Sequence, residues 1–215
     1  MLGGTGSFGQ ALAARLVAVG EDDVVIGSRD AERAHATAQS LGGNATGATN
    51  EDAVRGADLA VLAVKADGAL DTARAVREAL GATPLLSVAS AISVQKGVGA
   101  LPDPEALSLA ERIQQIVDAP VSAGLHSIAA ANLEAEPPDE DAFICGDDAD
   151  AKELSLQLAA KLVAGRALDA GPLASARALE GLTAVIVNLN RRYKAHAGLR
   201  VTGIPASEPG ISEAT

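Results

Sequence analysis

Aromatic side chains are nearly missing from this chain: Phe8, Phe143 and Tyr193 are the whole supply, and there is no tryptophan. That scarcity argues against stacking platforms for single-stranded nucleic acid. It also means the core must be filled by Ala, Val, Leu and Ile, which suits a parallel sheet covered by closely packed helices. Cysteine occurs once, at Cys145, so an intramolecular disulfide and a cysteine-based zinc site are both excluded. Positive charge is in short supply, with 17 Lys and Arg against 28 Asp and Glu and a formal net charge of −11. Such a surface repels phosphate backbones and anionic membranes, so an anionic ligand must be held by a few local donors. No run approaches the roughly 20 apolar residues that span a bilayer, and no basic segment leads into an apolar stretch at the start. The expectation is a soluble cytoplasmic protein without nucleic-acid or membrane partners. Its 215 residues, 48% of them hydrophobic, suffice for a packed globule with a substantial core.

What is present is an alternation of short apolar runs and helical patterns through the first 120 residues. Helical spacing covers 10–19, 31–41 and 67–80, with a short helix at 50–54. Strands are expected at 24–26, 59–64 and 85–88; the run LAVLAV at 59–64 is apolar throughout, as a strand covered on both faces should be. This order predicts βαβ units and a parallel sheet. Beyond about residue 120 the pattern changes. Strands are expected at 121–128, 142–145 and 167–170, a helix at 150–163 behind capping aspartates, and one long helix at 173–192. The expected organisation is a Rossmann-type α/β domain over 1–120, a small α+β lobe over 121–205, and a disordered tail over 206–215.

Residues 3–9 read GGTGSFG and contain Gly4-x-Gly6-x-x-Gly9. In a dinucleotide-binding turn such glycines permit a tight turn, close approach to a pyrophosphate and close helix packing, with the helix N-terminus facing the phosphates. A helix follows at once and a strand comes about 20 residues on, as the motif's context demands. Only Met1 and Leu2 precede the loop, where a central strand normally lies. Either the sheet manages with a stub or the start is internal; a missing central strand would leave ladder groups unpaired and the chain less stable. At the end of the second strand stands Gly27-Ser28-Arg29, followed one helical turn later by Arg33. A carboxylate there would accept from the ribose hydroxyls of NAD, whereas hydroxyl and guanidinium donors match the 2′-phosphate of NADP. A Ser28 that merely caps the next helix is the plain structural alternative.

Four further stretches lie outside a generic dinucleotide fold: Leu125-His126-Ser127-Ile128, Cys145-Gly146-Asp147-Asp148, Asp169-Ala170-Gly171-Pro172-Leu173, and Arg177-x-x-Glu180-x-x-Thr183. Together with LGGTGSFG and the GSR triplet, from Leu2 to about Gly198, the chain resembles the F420-dependent NADP oxidoreductases. The resemblance implies direct hydride transfer between NADP(H) and the deazaflavin coenzyme F420, with no catalytic acid or base and no metal. A second lobe would close over the nicotinamide and leave a cleft for the deazaflavin ring. Cofactor contacts are then expected at Gly4, Thr5, Gly6, Ser7, Phe8 and Gly9 of the loop, at Ser28, Arg29 and Arg33, at Val64, Lys65 and Ala89, and at His126 and Ala129. Small residues at 129–131 would let two flat rings approach. As a lone histidine in an apolar strand, His126 is equally a structural hydrogen-bond partner. Arg177 and Glu180, at i and i+3, are expected to pair with each other.

The chain departs from the family pattern after the LAVLAV strand, where Lys65-Ala66-Asp67-Gly68 replaces a turn that begins with proline and a bulky residue. Lys65 could reach a phosphate or the anionic tail of the deazaflavin, or stand solvated. Residues 86–92 are likewise smaller than the pattern. Two alternatives therefore stay open: an NADPH-dependent reductase of a flavin, a ferric chelate or a small imine or ketone, and a non-catalytic NADP-binding module. The apolar last helix and the family pattern suggest a homodimer.

Overall fold

The computed structural model describes residues 1–134 and 136–204; the tail expected at 206–215 lies outside them. Helix α1 (Ser7–Val19) leads to strand β1 (Val24–Ser28), α2 (Ala31–Leu41), β2 (Ala45–Thr49) and the short α3 (Asn50–Ala53). Then come β3 (Ala60–Leu62), α4 (Ala66–Leu80) and β4 (Leu85–Ser87). A hairpin of β5 (Ile92–Gln95) and β6 (Gly99–Pro102) leads to α5 (Leu109–Gln114) and β7 (Val121–Gly124). The chain continues through α6 (Ala130–Leu133), β8 (Ala142–Gly146), α7 (Ala149–Leu162), β9 (Ala167–Asp169), a 3₁₀ turn at Leu173–Ser175 and α8 (Ala176–Tyr193).

Residues Met1 and Leu2 do the work of the expected central strand. The Met1 nitrogen donates to the Val25 carbonyl and the Met1 carbonyl accepts from Gly27. On the other side Leu2 donates to Val61 and accepts from Ala63. Two residues thus bond both neighbours in the parallel sense, and the gap foreseen in the ladder does not open. Through this stub the strands run in the order β2-β1-stub-β3-β4-β7-β8-β9. Pairing is parallel except between β7 and β8, so β8 and β9 run against the rest. This is the Rossmann α/β class, extended at one edge by the strands of the second half.

Alternation along the strands feeds two cores, one on each face. Ala60, Leu62, Leu85 and Leu2 join Ala69, Ala73 and Val76 of α4 with Leu109, Ile113 and Leu179. Val61, Leu86, Ile26 and Ile144 face the other way, toward Leu12 and Leu16 of α1, Ala34 of α2, and Ala159 and Leu162 of α7. Period-2 alternation of side chains explains why an unbroken apolar run such as LAVLAV is the right sequence for β3.

Several expectations shift. The strand expected at 121–128 stops at Gly124, because Leu125 takes a left-handed conformation (φ 64°) and a turn follows, closed by Ile128 N–H to the Leu125 carbonyl. The long helix begins with the 3₁₀ turn and becomes α-helical only at Ala176. Strand β2 (ATGAT) was not foreseen, since it carries no apolar run and gains its stability from pairing with β1. The β5–β6 hairpin and helices α5 and α6 were missed for the same reason: short elements rely on neighbours. Asp148 caps α7 by accepting from Ala151 N, as the aspartates there led one to expect.

Candidate functional site

The loops at the C-terminal ends of the stub, β1, β3, β4 and β7 enclose one large cavity of about 1260 Å³. Ligands of open α/β sheets bind in this position, where strand ends and helix starts face a common crevice. Its floor is the glycine loop. Gly3, which the motif did not count, carries the left-handed turn (φ 70°), and a Cβ there would lie 2.3 Å from Val64 Cγ1. Gly9 serves packing: a Cβ would meet Gly3 O and Gly4 Cα at 2.9 Å, so the helix lies directly on the loop. Asn50 buttresses the turn, its Oδ1 accepting from Gly3 N at 3.3 Å; it is buried, and nothing in its local sequence announced it.

Helix α1 opens on Gly6 with no side-chain cap and no acidic residue in its first turn. The first helical bond runs from Gln10 N to Gly6 O, leaving the amides of Ser7, Phe8 and Gly9 without intrahelical partners. By contrast α2, α3, α5 and α7 each carry a capping side chain at their N-terminus. An uncapped N-terminus at the bottom of a cavity can hold a phosphate.

Thr5, Gly6, Ser7, Phe8, Arg29, Arg33, Val64, Lys65, Ala89 and His126 all line the cavity. Arg29 and Lys65 are exposed at its rim, while Arg33 reaches back to donate to the Thr5 carbonyl at 3.4 Å. Four other sequence-derived positions do not line it. Gly4 and Gly9 lie behind the loop, and Ser28 is 7% exposed with its hydroxyl oxygen accepting from Asp30 N. Ala129 begins α6, the short helix packed against α1, so residues 129–131 stand outside the cavity rather than along it.

The far wall is built around His126, in the turn that Leu125 opens. Thr183 Oγ1 donates to the His126 carbonyl at 2.8 Å. With its one hydrogen spent, it accepts from Ser90 Oγ at 2.6 Å. Ser90 has then spent its own hydrogen and accepts from His126 Nδ1 at 3.1 Å. Counting hydrogens around this ring of three residues puts the imidazole proton on Nδ1 and leaves Nε2 a bare acceptor. Nε2 is buried with no partner among the described residues. Burial lowers the imidazole pKa to about 4, with a hydrogen bond to the Val88 main chain opposing, so the ring is neutral at pH 7. The structure thus makes His126 both the hydrogen-bond partner and the cavity residue that its position suggested. Ser90 and Thr183 were not singled out for this role; they come from the segment after β4 and the middle of α8, far apart in sequence.

Arg177 and Glu180 do not pair. Arg177 Nε donates to the Glu105 carbonyl at 3.2 Å, and Glu180 turns inward to the amides of Leu109 and Ala110. A buried carboxylate gains more from two fixed main-chain donors than from one exposed helix neighbour. Cys145 is buried, and burial pushes its thiol up to about 12, so it stays protonated and unreactive.

A mostly parallel sheet, an uncapped helix at the glycine loop and cations at the strand ends define a Rossmann-class dinucleotide-binding oxidoreductase. More particularly, the chain belongs to the F420-dependent NADP reductase family. Residues 1–91 match the family model described as NADP oxidoreductase, coenzyme F420-dependent. The F420-dependent NADP reductase of Methanothermobacter marburgensis is 36% identical over 220 residues, covering 95% of this chain and 98% of the relative. That of Methanothermobacter thermautotrophicus is 34% identical over 223 residues, covering 97% and 96%. Among solved structures, a putative F420-dependent NADP-reductase from Arthrobacter sp. FB24 is similar at TM-score 0.79 and 25% identity, covering 92% of this chain and 96% of that one.

Proposed function

We propose that this enzyme passes a hydride between NADP(H) and the deazaflavin coenzyme F420. The observation that carries the reading is one cavity with two unlike ends: an uncapped helix N-terminus with rim cations, and a wall bearing a buried, unpartnered imidazole nitrogen. The two cofactors supply the redox chemistry when both are bound, nicotinamide C4 and deazaflavin C5 exchanging the hydride directly. The chain's own part is to bind, orient and keep water out. Free amides at Ser7 and Phe8 receive the pyrophosphate, and Arg29 with Arg33 and Lys65 receives the 2′-phosphate. The neutral His126 ring, held by Ser90 and Thr183, offers Nε2 to a ligand N–H or O–H. Apolar side chains of Val88, Ala89, Ile92 and Ile128 make the surface against which two flat rings lie. No acid or base is needed, in keeping with a wall whose only histidine stays neutral.

Anaerobic mixing of the protein with NADPH and oxidised F420 is expected to bleach the deazaflavin absorbance. Absence of bleaching, with reduction of a flavin or ferric chelate intact, would overturn the choice of acceptor. Residues 1–120 form the dinucleotide half on this reading, and 121–205 close the cleft. The enzyme works in the cytoplasm, a placement supported by its single buried thiol; no helix among the described residues is long and apolar enough to cross a membrane. It is a homodimer, supported by apolar side chains left exposed on the β5–β6 hairpin and on α8.

A further inference from the structure

Glu180 stands on α8 one turn before Thr183 and is 3% exposed. Its Oε2 accepts from Leu109 N and its Oε1 from Ala110 N, each at 3.1 Å. Burial raises the pKa of this carboxyl, and the main-chain amides around it oppose the shift by favouring the ionised form. Helix α5 already has a cap of its own: Ser108 Oγ accepts from Glu111 N, and Glu111 Oε2 receives the Ser108 amide. A buried carboxylate is an expensive way to finish capping a six-residue helix, so what it does for α8, which carries Thr183 one turn on, is the informative point.

Residues 90 and 91 both lie against α8. Thr183 bonds the Ser90 hydroxyl, and Ala91 lies beside Glu180. Ser90 and Thr183 face the cofactor cavity. Ala91 and Glu180 face a second, smaller cavity of about 550 Å³ on the other side of the same wall. Glu180 therefore does not line the cofactor cavity, yet it fixes α8, from which Thr183 holds both Ser90 and His126.

We propose that Glu180 is a positioning residue for the second substrate. By tying α8 to the α5 amides, it sets the register in which Ser90 and Thr183 hold His126 with Nε2 offered. This rests on the reading that the His126 wall receives the deazaflavin. Gln in place of Glu180 keeps the shape but turns an NH₂ group toward one of the amides, so the register is lost on one side.

The test is steady-state kinetics on the full chain with both substrates, together with melting temperatures, for Glu180→Gln and for Ser108→Ala, which loosens α5 without touching residue 91. Glu180→Gln is expected to raise KM for F420 about tenfold and leave KM for NADPH within twofold. Ser108→Ala is expected to lower the melting temperature and leave both KM values unchanged. A folded Glu180→Gln with an unaltered KM for F420 would overturn the proposal, as would Ser108→Ala reproducing its kinetic pattern. Should Glu180→Gln not fold, Glu180→Asp, one methylene too short to reach both amides, answers the same question: the F420 KM must rise selectively, and a wild-type value sinks the idea. If the acceptor itself is misassigned, the unaltered protein will not bleach F420 at all, which separates that failure from this one.

Discussion

Arg29 and Lys65 are exposed cations at the rim of the cavity, whereas Arg33 is partly spent on the Thr5 carbonyl. On a chain with net charge −11, these local charges decide whether a phosphorylated ribose is welcome. Charge-assisted hydrogen bonds are worth roughly 1.5–3 kcal/mol, and every 1.4 kcal/mol is about tenfold. Arg29→Ala is therefore expected to raise KM for NADPH by about ten- to a hundredfold while changing that for NADH little; steady-state kinetics with both cofactors checks it. Equal losses would remove the 2′-phosphate from this corner. The Ser28 hydroxyl oxygen accepts from Asp30 N, which leaves its own hydrogen free to be donated. The pattern GSR was legible in the sequence; that Arg29 and Arg33 line the cavity while Ser28 does not was not, because it depends on where each side chain points.

Among elements, the segment after α8 is held by one buried pair. Asp141 is fully buried, and its carboxylate accepts from Arg166 and from Val201 N. Arg166 also donates to the carbonyls of Val201 and Ile204, so the two side chains strap residues 199–204 against the ends of β8 and β9. The Arg166 guanidinium holds the Asp141 carboxyl well below the usual range, with burial opposing. A depressed folded-state pKa contributes stability that is fully present above the unfolded value of 3.8 and is lost as pH falls below it. Asp141→Asn is expected to destabilise the fold by about 3–5 kcal/mol at pH 7, since it strands a half-buried arginine. In urea titrations the gap between the two proteins narrows as pH drops below about 4. A gap that widens with acid would contradict the assignment. Glu140 and Glu180, raised chiefly by burial, act with the opposite sign and gain stability as they protonate.

For the molecule as a whole, the apolar surface is uneven. Val94 and Val98 on the β5–β6 hairpin are 63% and 67% exposed, and Val185 on α8 is 49% exposed. The hairpin is fastened to α8 by Asn188, which bonds both the amide and the carbonyl of Ala100 at 2.8 Å, so these side chains belong to one rigid assembly. Apolar groups concentrated on one part of an otherwise highly charged protein mark a contact surface. Light scattering is expected to give twice the 21.4 kDa chain mass. Val98→Asp together with Val185→Asp should shift the protein to the monomer without lowering helix content. A monomeric parent protein would remove the dimer.

The sequence by itself determined the Rossmann class, the phosphate-binding loop and the long helices, because hydrophobic period and glycine spacing are local and repeat along the chain. It also placed Lys65 and Arg29 at strand ends, where ligands gather. Only the tertiary structure ended the strand before His126 and showed Met1 and Leu2 bonded to both β1 and β3, since that depends on ladder partners in those strands. It alone assembled Ser90, His126 and Thr183 into one ring and turned Glu180 away from Arg177. Such contacts join positions up to 93 residues apart, and burial sets their protonation; no local pattern encodes either.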